Sequence, residues 1–345
     1  MLRMAERASR PIFEPQGAAV WCPSPVGISL GRTLAQLDNR DRFLLIFQGP
    51  TWFSRLALWM SQLGSIEFTE CSAAPIGATG RPEAWKSVPL ARFKEQLQTP
   101  WIFEALEDDN LECHIQPILM LNDMTICGFE ALARSTVAGR KLNGGDLVNA
   151  SQAHDLMNIF EVAALRAAAR DASPQVRDNE MLFVNLLPSS LGNPDYLEKK
   201  IIGDMVNRGV DMGRVVFEVV ESESLPPVHL LEESMEVIRG FQSIIAIDDV
   251  GAGCAAFSCI AQLEPDVVKL DKSLLHLEEA TACGIIKSLS DCAHSVGALC
   301  VAEGIETREQ LEMVRFAGVD MAQGWLIGRP DKLAQRNFGG HAFIG

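Results

Sequence analysis

From about residue 110 onward, short runs of Val, Ile, Leu and Phe alternate with longer stretches whose apolar residues recur at helical spacing. The runs are Ile115–Leu119, Ile126–Leu132, Met181–Leu186, Val215–Val220, Ile244–Ile247, Val267–Leu270, Ala298–Ala302 and Met321–Ile327. A strand covered on both faces reads as a continuous apolar run, so these eight predict a largely parallel sheet. Between them, Asn158–Arg170 sets Ile159, Phe160, Ala163, Ala164 and Ala167 on one helical face. Thr307 opens a further helix to Phe316, with Gln310 at the spacing of a capping box. Eight strands with intervening helices predict an α/β fold of the (β/α)8 TIM-type barrel class. A doubly wound open sheet is the alternative.

Before residue 100 the pattern is different. Phe43–Phe47 reads as a strand, Thr51–Leu63 as an amphipathic helix stopped by Gly64, and Ile66–Thr69 as another strand. Five of the six tryptophans (Trp21, Trp52, Trp59, Trp85, Trp101) lie in the first 101 residues, and Ala74–Pro89 is rich in Pro and Gly. We therefore expect a small N-terminal α/β domain over residues 1–95, a barrel over 96–335 and a tail over 336–345. The first domain has no catalytic or cofactor signature, and a regulatory role is the expectation for it.

With 345 residues, 48% hydrophobic and 22% charged, the chain has a globular composition. Its most apolar window, Trp52–Leu63, is interrupted by Ser54, Arg55 and Ser61, so no membrane span is expected. The first fifteen residues lack the apolar core of a secretory leader, which makes the cytoplasm the expected compartment. Nine scattered cysteines without a C-x-x-C pair suggest buried reduced thiols rather than disulfides or a zinc ribbon. The net charge of −15 is uneven, with +3 in residues 1–100 and −18 in the remainder. So acidic a body disfavours a DNA or RNA duplex as partner, and an anionic ligand would need an intervening cation.

Seven of the eight runs carry or adjoin a polar group where a parallel strand should be apolar: Glu130, Asn185, Glu218, the pair Asp248 and Asp249, Lys269, Glu303 and Gln323. Singly, each has a structural reading as a helix cap, a turn residue or a snorkelling lysine. Together they recur at one relative position, and barrel enzymes place their catalytic groups at the carboxyl ends of the strands. Several carboxylates in one pocket repel, and a divalent ion resolves the conflict. All-oxygen donors select Mg²⁺ or Mn²⁺ over Zn²⁺, and such ions activate water against a phosphate ester.

These residues lie within blocks that follow in order: QPI at Gln116, GFEALAR at Gly128, FVNL at Phe183, FEVVES at Phe217, DDVGAG at Asp248, PDVVKLD at Pro265, VAEGIET at Val301 and QGWLIGRP at Gln323. Residues 97–332 thereby resemble the EAL domain, a cyclic di-GMP phosphodiesterase family named for the tripeptide found here as Glu130-Ala131-Leu132. The resemblance implies a modified barrel with an antiparallel first strand, one or two Mg²⁺ or Mn²⁺ ions, and hydrolysis of cyclic di-GMP to linear 5'-pGpG. Glu130, Asn185, Glu218 and Asp248 would then hold one ion and Asp249 the second. Lys269 would hold water or phosphate, Glu303 would act as base or further ligand, and Gln323 would position the water. Gln116 and Arg134 would contact substrate, and association into a homodimer through the barrel is a further expectation.

The sequence departs from the family pattern after the fifth barrel strand, where Val250, Ala252, Cys254, Ala255 and Ala256 replace the usual Phe, Thr, Tyr and two serines. The resemblance implies Glu221 as the anchor of that loop, and Ala252 and Ala255 would return it no side-chain hydrogen bond. A looser loop and lower turnover follow as expectations, and a redox role for Cys254 and Cys259 is disfavoured. The alternative function is a weak or inactive cyclic di-GMP receptor signalling through the N-terminal domain. A metal-dependent hydrolase of another substrate would require the nucleotide-contacting blocks to be absent.

Overall fold

The computed structural model describes residues 15–22, 36–37, 43–48, 50–61, 63, 71–77, 81–107, 110–220, 226–251, 260 and 263–336. Gly64, the expected strand Ile66–Thr69, Glu221, and the substituted loop with Ala252, Cys254, Ala255, Ala256 and Cys259 lie outside these residues. The chain divides into two compact units: Met1–Ala105 with Gly145–Met157, and Leu106–Gly144 with Asn158–Gly345.

The first unit contains an antiparallel sheet of β1 (Gly17–Cys22), β2 (Gln36–Leu37), β3 (Phe43–Gln48), β4 (Ser72–Pro75) and β5 (Val88–Pro89), in the order β2-β3-β1-β4-β5. Val20, Phe47, Leu56, Trp59 and Phe93 meet in its core, brought together from the sheet and from helices Trp52–Met60 and Leu90–Gln98. The first of these helices ends at Met60, short of the expected Leu63. The Pro/Gly-rich stretch Ala74–Pro89 supplies the end of β4 and the edge strand β5, where missing proline N–H groups are tolerated.

The second unit is a closed barrel. Its strands are β6 (Leu111–Met120), β7 (Ile126–Val137), β9 (Met181–Asn185), β10 (Val215–Val220), β11 (Ile244–Val250), β12 (Val267–Leu270), β13 (Leu299–Ala302) and β14 (Met321–Gln323), while β8 (Arg140–Leu142) extends β7 as a hairpin. All eight predicted runs form barrel strands. The ladder runs β6-β14-β13-β12-β11-β10-β9-β7 and closes through β6–β7, so the open doubly wound sheet is excluded. β6 is antiparallel to both its neighbours, and the β7–β9 pair and every step from β9 to β14 are parallel.

Ile118, Phe183, Val216, Ala246, Val267, Val301 and Met321, one from each of seven strands, fill the barrel as a packed layer. Side chains on the opposite strand face, such as Phe217, Ile245, Val268 and Cys300, are also buried, which explains the continuous apolar runs. Thr307 caps helix Arg308–Phe316 in a full capping box with Gln310, as its spacing predicts. The helix expected over Asn158–Arg170 runs Met157–Ala167 and widens into a π turn at Ala168–Ala172. Its expected face is corrected: Ile159 is 41% exposed, and the buried positions are Phe160, Glu161, Leu165 and Ala167. Arg336 ties the C-terminal strap to the barrel, with Nε and Nη2 each 2.6 Å from an oxygen of buried Glu180. Burial pushes the thiols of Cys113, Cys127 and Cys300 up to about 12. Among the described residues no helix is long and apolar enough to cross a membrane.

Candidate active site

Alternation along a strand puts residues i and i+2 on the same face. Asn185, Glu218, Asp248, Lys269, Glu303 and Gln323 each stand two residues beyond a member of the packed layer: Phe183, Val216, Ala246, Val267, Val301 and Met321. Gln116 stands two residues before Ile118, the reversed sense that antiparallel β6 demands. Opposite Gln116 on β7 is Glu130. One packed layer therefore supports a second, polar layer at the carboxyl ends of the parallel strands.

Asp248 and Asp249 are an exception, because successive strand residues should face opposite ways. The β11–β12 register shifts between Ile247 and Val250, and Asp249 takes a left-handed backbone with φ 59°. Such a bulge re-aims a side chain at a functional edge. Carboxylate oxygens of Asp248, Asp249 and Glu303 all lie within 4.8 Å of one another. Gly304, with φ 69°, lets the chain turn away directly after Glu303, since a Cβ there would lie 2.3 Å from Lys272 Cβ.

Lys269 occupies the centre of the polar layer and is fully buried. Its Nζ lies 2.6 Å from Glu218 Oε1, 2.6 Å from Glu303 Oε1, 3.1 Å from Asp248 Oδ1 and 3.9 Å from Glu130 Oε2. Burial opposes the ammonium charge, but the surrounding carboxylates outweigh it and hold Lys269 well above the usual lysine range. One such approach is worth roughly 4 kcal/mol at 4 Å and an effective dielectric near 20, so four offset a desolvation cost of several kcal/mol. Glu218, also fully buried, is pushed well above the carboxylate range by burial, against the pull of Lys269. Burial and nearby Asp248 raise Glu303 to about 8, with Lys269 opposing. Asp249 rises to about 6 through burial, Asp248 and Asp271.

Gln323 donates from Nε2 to Glu130 Oε2 at 2.5 Å and to Gln116 Oε1 at 3.2 Å, and Gln116 donates to the Gly328 carbonyl at 3.0 Å. This fixes both amides. Glu218 Oε2 and Gln323 Oε1 are buried without a hydrogen-bond partner, whereas Glu218 Oε1 and Asp248 Oδ1 face the Lys269 ammonium at 2.6 and 3.1 Å. With five carboxylates against one ammonium, the group carries a formal −4 when all are ionised. Hard divalent cations fit this donor set of buried, unsatisfied oxygens.

Arg134 lies four residues beyond Glu130 on β7 and donates from Nη1 to the Ala133 carbonyl. Asn185 is exposed at the end of β9, in register with Glu218. The structure thus gathers Glu130, Glu218, Asp248, Asp249, Lys269, Glu303, Gln323 and Gln116 in one layer and sets Asn185 at its edge.

The family model of the EAL domain matches residues 100–330. This chain belongs to the EAL-domain family. It is 29% identical over 252 residues to the cyclic di-GMP phosphodiesterase NbdA of Pseudomonas aeruginosa, covering 71% of this chain and 32% of that protein. It spans between 27% and 32% of the length of three curated relatives it matches. Among solved structures, the Xanthomonas citri FimX EAL domain in complex with cyclic di-GMP superposes with a TM-score of 0.60 at 22% identity, over 72% of this chain and 97% of that one. The cAMP-bound EAL enzyme Bd1971 gives 0.62 at 18% identity, over 92% of this chain and 91% of that one. These two likenesses establish the fold of the EAL domain.

Sequence reasoning missed two features of this EAL domain. Asp271, just beyond Lys269, faces Asp249 electrostatically and caps the 3-10 turn Lys272–His276 through Ser273. Its signal was the end of the PDVVKLD block. Glu161, 4% exposed, accepts from the Leu187 N–H and the Ser190 hydroxyl. No motif pointed to it, because a single glutamate in an apolar helix reads as a solvated position.

Proposed function

We propose that this EAL domain hydrolyses one phosphodiester of cyclic di-GMP, releasing linear 5'-pGpG, with one or two Mg²⁺ or Mn²⁺ ions. The observation that carries this reading is the layer of buried carboxylates, with an unsatisfied oxygen on Glu218, held in register at the carboxyl ends of the strands. The naming of NbdA as a cyclic di-GMP phosphodiesterase supports the choice of substrate.

Glu130, Asn185, Glu218 and Asp248 would hold one ion, and Asp249, beside Asp248 and Glu303, a second. Bound ions supply Lewis acidity toward the phosphate and lower the pKa of a coordinated water. Gln323 is oriented by Glu130 and Gln116 and keeps Oε1 as a free acceptor, through which it would align the attacking water. Glu303, whose carboxylate lies within 4.8 Å of those of Asp248 and Asp249, would serve as the base or as a further ligand. Lys269 keeps its charge among the carboxylates and would hold the water or the phosphate, and Arg134 would offer a second cation to the phosphate. Attack breaks the P–O3' bond, so the product retains its 5'-phosphate and gains a 3'-hydroxyl.

The deciding experiment incubates the chain with cyclic di-GMP and Mg²⁺ or Mn²⁺ and separates the products by chromatography. Appearance of pGpG, abolished in Glu130→Ala, is the expected result. Tight binding without pGpG would replace this reading with that of a receptor. Wild-type turnover in Glu130→Ala would overturn the ligand assignment.

A further inference from the structure

Helix Pro188–Leu191 follows β9 after a single connecting turn, and its N-cap, Leu187, has no side chain able to cap. Glu161, from the separate helix Met157–Ala167, supplies what is missing. Its Oε1 accepts the Leu187 N–H at 2.7 Å, and its Oε2 accepts the Ser190 hydroxyl at 2.6 Å. In a capping box a carboxylate at N3 accepts the N-cap N–H. Here N3 is Ser190, and the carboxylate comes from elsewhere in the chain.

Glu161 is 4% exposed and Ser190 3% exposed, and no lysine or arginine pairs with the glutamate among the described residues. A buried carboxylate satisfied only by neutral donors costs desolvation that a purely apolar residue at this helix position would avoid. What Glu161 gains is control of the main chain next to Asn185. The Leu186 N–H is held by the Glu218 carbonyl at 2.8 Å, and the Leu187 N–H by Glu161. The two peptide N–H groups that follow Asn185 are therefore both fixed, one by the backbone of β10 and one by this side chain.

We infer that Glu161 is a positioning residue that sets the backbone at Asn185, and so the aim of its side-chain amide toward Glu218 and a shared divalent ion. The inference rests on the reading of Asn185 as a ligand. Asn185 is the one neutral donor in the proposed set and stands exposed at the strand end, with the least packing to orient it. An amide contributes only if its oxygen points correctly, so its dependence on the backbone exceeds that of the carboxylates packed around Lys269.

The test is Mn²⁺ binding to the whole chain by titration calorimetry, with thermal melting as a check on folding. Glu161→Ala is expected to weaken Mn²⁺ binding at least tenfold. Glu161→Gln, whose Oε1 still accepts from Leu187 while Nε2 donates to Ser190, is expected within threefold of wild type. A purely structural role would lower the melting temperature of Glu161→Ala without this loss of affinity. Unchanged affinity in a folded Glu161→Ala protein overturns the inference. If that variant does not fold, Ser190→Ala decides: a threefold or greater loss supports the inference and no loss overturns it. Asn185→Ala separates the two layers of the argument. If it binds Mn²⁺ as wild type does, the ligand reading fails and the positioning role falls with it. If it weakens binding, adding Glu161→Ala should weaken it no further.

Discussion

Lys269 Nζ and Glu218 Oε1 meet at 2.6 Å with neither side chain exposed to solvent. Neither group would be stable alone at that depth. Removing one member of a buried pair typically costs about 3–5 kcal/mol, because the other charge is left uncompensated. Lys269→Met should therefore lower the stability of the chelator-treated protein by about that amount in denaturant titrations. Added Mn²⁺ should recover part of the loss by binding only the native state. An unchanged midpoint in chelator would show that the carboxylates do not depend on this lysine.

Glu303 yields a pH prediction. Its folded pKa, about 8, exceeds the ordinary value of 4.5, so between these limits the native state holds a proton the unfolded chain has released. Stability from this group is present below pH 4.5 and is lost as the pH rises toward 8. Glu303→Gln cannot titrate. The stability of wild type relative to Glu303→Gln, measured without metal, should fall between pH 5 and pH 8. A flat or rising difference would contradict the raised pKa.

Gln323 holds Glu130 and Gln116 through one nitrogen while its oxygen stays unpaired. Loss of a single preorganised polar group in an active site costs about 10²–10³ in kcat. Gln323→Ala should lower kcat for cyclic di-GMP by about 10²-fold and change KM little, as steady-state kinetics would show. A loss confined to KM would assign Gln323 to binding alone.

Arg336 clasps both oxygens of Glu180, and its guanidinium also lies 5.0 Å from the Phe129 ring centroid. Arg336→Ala would leave a carboxylate that is 3% exposed with the Arg177 N–H but without its guanidinium partner. Because the arginine is itself partly solvated, the expected destabilisation is about 2–4 kcal/mol, toward the lower end for a broken buried pair. Arg336→Lys should recover less than half of it, since an ammonium cannot form the two parallel bonds. Thermal melting of the three proteins checks the order.

The barrel was legible because its parallel strands are buried on both faces and read as uninterrupted Val and Ile runs. The polar layer was legible because Glu218 and Lys269 interrupt such runs without local cause. What the sequence did not reveal was relational. The two-residue offset between the packed and polar layers appears only once strand register is known, and Lys269 lies among four carboxylates, three on separate strands and Glu303 just past the end of β13. β1 and β4 are rich in alanine, with few β-branched residues, so they carry little strand signal. Glu161 was hidden because its partners are a main-chain N–H and a serine on another helix, contacts that leave no spacing in the sequence.

Closure of the sheet through β6 has a consequence for synthesis. The β6–β7 hairpin is local and can pair as soon as it leaves the ribosome, yet the other edge of β6 bonds to β14, about 200 residues downstream. Until β14 emerges, the nascent chain presents that edge of β6 unpaired, on a strand that includes Ile115, Ile118 and Leu119. Such an edge invites association with other chains, and its protection depends on the last strand of the ring.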